Sequence, residues 1–409
     1  MGELAVNGGT PVRQDPWPDW PVWDDTEEQG LLEVLRSGAW GRQYGKCTER
    51  FEEAFAALAG TRHCIATTTG TAALEIAYQA VGVGPGDEVI VPSYTFMATA
   101  TAALTVFARP VFVDASPDTW SLDPEGVAAA ITPKTKAIVP VHVAGNPCRM
   151  DELMEIAREH GIAVVEDAAQ AHAGSYKGRP LGSIGDVACF SFQASKNMNG
   201  GEGGAITTSD DAIAERCWRI HNCGRARDES IDAGSVFSTN ERITEFQSAI
   251  LLGQLSRVRD QADTRRQSAA RLYELLEDVE GVSGVHVPGD GSESAVHLFL
   301  VNYDPSAFGG LPKAKLLEAL AAENTPAAPG YTPLHKLGMF SREGGSPSVA
   351  ERDTGLALDY SGVTLPVTER ICGEGGFWIY QKSFMAGPDA VDGYAASFRK
   401  IQENISELL

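Results

Sequence analysis

At 409 residues the chain exceeds what one compact core organises, which predicts two lobes. Its composition, 43% hydrophobic and 22% charged, is that of a globular protein, and no apolar run is long enough to span a bilayer. A formal net charge of −22 repels phosphate backbones and anionic headgroups, which argues against nucleic acid or membrane as a partner and for a small molecule.

The first 24 residues, rich in Pro and Trp, predict an N-terminal arm. They carry neither a basic n-region nor a long apolar h-region, so a cytoplasmic location is expected. Residues 25–260 predict a large domain and 261–409 a smaller one. The seven cysteines are an odd number, scattered without a CxxC pair or nearby histidine cluster, and read as reduced packing residues with no metal site.

In "CIATTTGTAALEIAYQAVG" (64–82) a short apolar run leads through three threonines and Gly70 into a predicted helix over 71–81. Bare N–H groups at a helix N-terminus, backed by the helix dipole, make an anion site. Gly70 allows close backbone approach there and Thr71 adds a hydroxyl. Simple N-capping by threonine produces the same pattern. The following "VGVGPGDEVIV" places its glycines after a helix and before a strand, the reverse of a dinucleotide fingerprint, and so predicts a helix end and a turn.

β-branched runs at 87–92, 109–114, 136–142 and 162–167 then alternate with helical stretches such as "MDELMEIAREHG" (150–161). This order predicts an α/β fold whose mostly parallel sheet is covered on both faces, with ligands at the carboxyl ends of the strands. One such end carries two carboxylates, in "VVEDAAQAHAGSYKG" (164–178). A charge there is costly without a partner, so Asp167 is a candidate to meet a cation; a helix cap or structural ion pair is the plainer alternative.

"CFSFQASKNMNGGEGGAITT" (189–208) sets one lysine between two short strands, 187–192 and 204–208, beside clustered glycines. A lysine withdrawn from water is driven to lose its charge, and the neutral amine is nucleophilic, which marks Lys196 as a Schiff-base candidate. Ser191 and Ser195 offer hydroxyls to a phosphate, and the glycines let backbone pass close to a ligand. An exposed loop lysine in a glycine hairpin is the alternative. Beyond it come a long helical connector (243–279), a strand (296–303), a helix (313–324) and a final amphipathic helix near 389–407, a smaller α+β domain.

An anion-binding helix terminus, a carboxylate at a strand end and a shielded lysine are together the anchors of pyridoxal phosphate (PLP). With these residues the chain resembles the DegT/DnrJ/EryC1/StrS aminotransferases, from about Trp17 to the last helix. The resemblance implies a fold type I PLP-dependent transferase with a large PLP-binding domain and a smaller C-terminal α+β domain. "TTGTAAL" implies phosphate contacts from Gly70 and Thr71, and "PSYTFMATA" implies that Phe96 stacks on the cofactor ring, although helix-face packing would also place an aromatic there. "VVEDAAQAHA" carries the pyridinium role to Asp167 and a contact with the phenolic oxygen to Gln170; "SFQASKN" assigns Ser191 to the phosphate and Lys196 to the aldehyde. "STNERITEFQSAI" implies that Asn240 reaches the neighbouring subunit's cofactor, hence a homodimer with shared active sites.

Ser238 departs from the family's usual glycine. "HNCGRARD" (221–228), Gln193 and the opening "LAVNGGTPVR" resemble aminocyclitol aminotransferases and 3-amino-5-hydroxybenzoate synthases more than sugar-nucleotide enzymes. The implied reaction moves an amino group from L-glutamine or L-glutamate to a ketocyclitol in aminocyclitol antibiotic biosynthesis, the cofactor passing through pyridoxamine phosphate. Gln193, Arg225, Tyr331 and His335 are candidate substrate contacts, although a loop tyrosine and a solvent-facing histidine explain the last two equally well. The arm, the 221–235 loop and the 325–345 region are expected to shape the pocket. A sugar-nucleotide aminotransferase and a noncatalytic PLP-binding regulator are the rival readings. The presence of Lys196 disfavours a third, a dehydratase of the same fold with histidine in its place.

Overall fold

The computed structural model describes residues 3–227, 236–285, 287, 289–340 and 358–409; residues 228–235 and 341–345 of the segments expected to shape the pocket lie outside them. Helices α1 (Asp25–Ser37) and α2 (Cys47–Ala59) precede an alternating run: β1 (His63–Thr67), α3 (Gly70–Ala80), β2 (Glu88–Pro92), α4 (Ala98–Thr105), β3 (Arg109–Val113), α5 (Pro124–Ala130), β4 (Thr135–Ile138), α6 (Met150–His160) and β5 (Ala163–Asp167). A small hairpin, β6 (Ser175–Tyr176) and β7 (Arg179–Pro180), leads to β8 (Val187–Ser191), β9 (Gly204–Thr208) and α7 (Asp211–His221).

Seven of these strands form one sheet in the order β1-β9-β8-β5-β4-β2-β3. All neighbours are parallel except β9, which runs antiparallel to both β1 and β8. The strands are apolar throughout because both faces are covered. Ile65, Val165, Val187 and Cys189 pack against α3, α4 and α7, whereas Cys64, Val164, Ala188 and Phe190 pack against α2, α5, α6 and the helix that follows. β4 stops earlier than its apolar run suggests, because Pro140 has no N–H to continue the ladder. Its carbonyl instead accepts from the Asp167 N–H at 2.9 Å.

That next helix, α8 (Glu245–Leu276), starts at a capping box of Thr244 and Gln247 and runs on without a break. Its Leu251 and Val258 belong to the core under the large sheet, while Ala269, Leu272 and Leu276 belong to a second core. The second core lies against the antiparallel sheet β10 (Val282–Gly284), β11 (Leu298–Tyr303) and β12 (Gly376–Tyr380), with α9 (Lys313–Ala322) and α10 (Asp392–Glu403). The division near residue 260 thus falls inside one continuous helix. The arm reaches this second core: Leu4 is buried in it, and the Trp17 ring lies 5.5 Å from that of Tyr394. The glycine run after α3 makes the expected turn, with Gly82 and Gly86 at positive φ and no atom near any of its three glycines.

Glu166, the companion of Asp167, points to the opposite face of β5. It is wholly buried and accepts from His142 Nε2 (2.9 Å) and from the N–H groups of Gly182 (2.9 Å), Ile184 (2.6 Å) and Gly185 (2.7 Å). The Cys148 N–H donates to His142 Nδ1, so the ring proton that faces the carboxylate is on Nε2. Burial raises the Glu166 carboxyl, but the His142 hydrogen bond and the backbone amides outweigh it and hold the group below its ordinary value. Its stabilising contribution is therefore present above about pH 4.5 and lost as the pH falls further. Glu166→Ala strands these donors, and we expect it to lower stability by roughly 3–5 kcal/mol in urea unfolding at pH 7.

Candidate active site

At the carboxyl ends of β5 and β8, under the edge of the small domain, lies a cavity of about 470 Å³. It is lined by Gly70, Thr71, Phe96, Asp167, Gln170, Ser191, Gln193, Lys196 and Tyr331, nine of the residues singled out in the sequence. Gly70 and Lys196, 126 positions apart in the chain, meet there because parallel strands deliver their loops to one sheet edge.

The anion end is the start of α3. Thr69 is the N-cap: its hydroxyl accepts from Ala72 N–H at 3.0 Å and its carbonyl from Ala73 N–H at 3.1 Å. Capping and anion binding are thus compatible, since the Gly70 and Thr71 N–H groups are left without an acceptor in the described chain. The glycine at 70 has a cause that the sequence did not show. A Cβ there would sit 2.8 Å from Ser191 Cβ, so the close packing of β8 requires glycine whether or not a ligand approaches. Gly204 is likewise required by the backbone of Thr69, 2.3 Å from where its Cβ would be.

Asp167 is 5% exposed. Its Oδ2 accepts from Thr99 Oγ1 at 2.8 Å and its Oδ1 from Ala169 N–H at 3.2 Å. Burial pushes the carboxyl up, against those hydrogen bonds and the attraction of Lys196. Lys196 follows a turn closed by its own N–H on the Gln193 carbonyl at 2.8 Å. It does lie between antiparallel strands, as the hairpin alternative had it, but it reaches into the cavity instead of solvent. Desolvation pushes its amine down to about 8, against the pull of Asp167. His172 stands close by and is pushed down to about 3 by burial and by the charge of Lys196.

Gln170 is clamped at both ends of its amide: Oε1 accepts from Ala144 N–H at 2.6 Å and Nε2 donates to the Tyr331 hydroxyl at 2.9 Å. Tyr331 is therefore held in the wall, its ring 4.6 Å from that of Trp378. The Lys313 ammonium fixes both flanks of that wall by donating to the carbonyls of Pro329, Cys372 and Gly376. Phe96 lies over the cavity, 53% exposed, which helix-face core packing does not explain.

Three expectations fall outside this cavity. His335 is neither solvent-facing nor pocket-lining: it is buried, with Nδ1 2.8 Å from Ser93 Oγ and Nε2 3.2 Å from Glu369. Arg225 and Asn240 are exposed and line no part of their own chain's cavity. Conversely, Thr99, His297, Trp378 and Tyr380 belong to the site and were not anticipated. Thr99 lies within the quoted "PSYTFMATA", and the continuous apolar, aromatic-rich run "GFWIY" (376–380) is a strand signal that would have pointed to Trp378. No local signal marks His297.

A profile of the DegT/DnrJ/EryC1/StrS aminotransferase family matches residues 21–375. The chain belongs to that family. The aminotransferase is 38% identical over 383 residues to an L-glutamine:2-deoxy-scyllo-inosose aminotransferase of Streptoalloteichus tenebrarius, covering 90% of each chain. Among solved structures it resembles 3-amino-5-hydroxybenzoic acid synthase, with a TM-score of 0.84 and 32% identity over 96% of this chain and 99% of that one. It also resembles DesI, determined in the presence of its TDP-sugar product, with a TM-score of 0.83 and 32% identity over 99% and 97% of the two chains. These neighbours place the fold in type I of the PLP aminotransferases. Among the described residues, no helix of the enzyme is long and apolar enough to cross a membrane.

Proposed function

We propose that this aminotransferase binds PLP in the cavity and aminates a ketocyclitol, with L-glutamine or L-glutamate as donor, in aminocyclitol antibiotic biosynthesis. The observation that carries the cofactor assignment is the convergence of Lys196, Asp167 and the two free N–H groups of α3 on one cavity, with Phe96 uncovered over it. Gly70, Thr71 and Ser191 would hold the phosphate, Asp167 the ring nitrogen and Gln170 the phenolic oxygen. PLP, when bound, supplies a carbonyl carbon and an electron sink. Lys196 Nζ would be the nucleophile toward that carbon and the base that holds the donor's α-proton. Asp167 holds a proton at the ring nitrogen through its charge, while Thr99 and Ala169 orient the carboxylate.

The substrate assignment rests on the likeness to the scyllo-inosose enzyme and on the charge of the cavity. Among its lining residues Lys196 is the single Lys or Arg, and Asp167 and Glu202 are acidic, which suits an uncharged polyol better than a diphosphate. The exposure of Asn240 away from its own cavity supports the reading in which it serves a second copy, so we include a homodimer with shared sites in the proposal. The test is an absorption spectrum of the PLP-loaded protein before and after L-glutamine, followed by turnover of scyllo-inosose-type ketones. Conversion of the visible band to a pyridoxamine band, then recovery on adding the ketone, is expected. Recovery only with a dTDP-ketosugar would establish the sugar-nucleotide reading, and no band change with any donor would establish the regulator.

A pH dependence follows from Lys196. Because its amine is protonated below about 8, the rate of PLP uptake by the cofactor-free protein should rise with pH and level off above that value. A rate still climbing near pH 10, as for an ordinary lysine, would contradict the shielded amine.

A further inference from the structure

His297 enters the cavity from the opposite side to the sheet. It is 6% exposed and lies just before β11, next to Leu298 in the cavity wall. Its Nδ1 is 3.1 Å from Asn197 Oδ1, and the Asn197 Nδ2 donates to the Ala295 carbonyl at 2.6 Å. An amide nitrogen must be the donor to that carbonyl, so the oxygen faces the ring and Nδ1 carries the proton. The other nitrogen, Nε2, is a bare acceptor with no hydrogen bond to any described residue. Burial and the neighbouring Lys196 push the imidazole well below its ordinary value, so it stays neutral at working pH.

The backbone is strained to achieve this. Val296, β-branched and buried, sits at φ +48°, and Ala144 sits at φ +63°. The two are coupled: the His297 N–H donates to the Ala144 carbonyl at 2.8 Å, and the Ala144 N–H donates to Gln170. Strain of this kind persists where surrounding structure over-determines it, and here it aims two side chains into one cavity.

Building on the reading above, we propose that His297 binds the keto substrate, its Nε2 accepting a hydrogen bond from a substrate hydroxyl and so selecting a polyol. An acceptor lone pair attracts a hydroxyl proton and repels the carboxylate of the amino-acid donor; we place the contact in the second half-reaction, which the rate of the donor step decides. The site discriminates against analogues that lack that hydroxyl, because a buried acceptor is then left unpaired.

The test compares His297→Leu and His297→Gln, in the PLP-loaded enzyme, with wild type. In His297→Leu we expect KM for the keto substrate to rise roughly tenfold to a hundredfold, with kcat and the single-turnover rate of the glutamine half-reaction within about threefold. His297→Gln, which keeps an acceptor, should recover most of the loss, and one deoxy analogue should be used equally well by wild type and His297→Leu. An unchanged KM or an equal loss in the donor half-reaction overturns the proposal. Should His297→Leu fail to take up PLP, Asn197→Ala, which frees the tautomer, is expected to raise the same KM and to leave the donor step alone; no KM change there also overturns it. Wild type that aminates a keto sugar nucleotide but no ketocyclitol would refute the proposed function alone, since the same comparison on that substrate's hydroxyls still decides the role of His297.

Discussion

Lys196→Ala is expected to lower transamination by roughly 10⁴-fold or more while leaving a folded protein that still binds PLP. Among the described residues the amine is the single lysine or arginine nitrogen lining the cavity, and no other described group there can replace it. His172 and His297 are both near it, but the first is held neutral far below its usual range and lies against Phe190 and Phe192. The second has its Nδ1 proton committed to Asn197. Neither can condense with an aldehyde. The phosphate end is separate from the lysine, since Gly70 and Thr71 keep their free N–H groups. Cofactor affinity measured by fluorescence should therefore fall far less than turnover, and a small primary amine added to the variant should restore part of the activity. Retention of more than about a hundredth of wild-type turnover would remove Lys196 from the chemistry.

Asp167→Asn is expected to cost roughly a thousandfold in kcat for the glutamine half-reaction. The substitution keeps the size of the side chain; its one oxygen can still accept from the Ala169 N–H while its amide N–H₂ turns to the Thr99 hydroxyl, which can accept, so the loss chiefly reports the charge. It should also move Lys196. Asp167 is the group that pulls the lysine up against desolvation, so its neutralisation lets the amine titrate below about 8. The plateau of PLP uptake should then begin at lower pH than in the wild type. A plateau at an unchanged pH, with kcat intact, would mean that the two groups do not face each other across the bound ligand.

Most of the fold was legible because its strands are apolar on both faces and separated by amphipathic helices. The limits of β5, β8, β9, α3 and α6 fall within a residue or two of the runs "IAVVED", "VACFSF", "GAITT" and their neighbours. Of the three strands of the small sheet β11 was expected, whereas β10 and β12 were passed over although "GFWIY" is an apolar, aromatic-rich run of strand length. The anchors of the site were legible for a related reason. A glycine, a carboxylate and a lysine at strand ends contradict the burial around them, and each contradiction is local to a few residues.

The chain's local pattern was enough to set the α/β class and the position of the sheet, and to single out Lys196 and Asp167, which the fold brings to one cavity. Folding together decided the rest, because it depends on contacts between segments that no local pattern encodes. Gly70 is a glycine because Ser191, 121 positions later, packs on it. His335 is turned away from the cavity by Ser93 and Glu369, and His297 is turned into it by Asn197 and Ala144. A histidine has the same letter in both settings. Only the partners that reach its two nitrogens determine whether it holds the scaffold or faces a ligand.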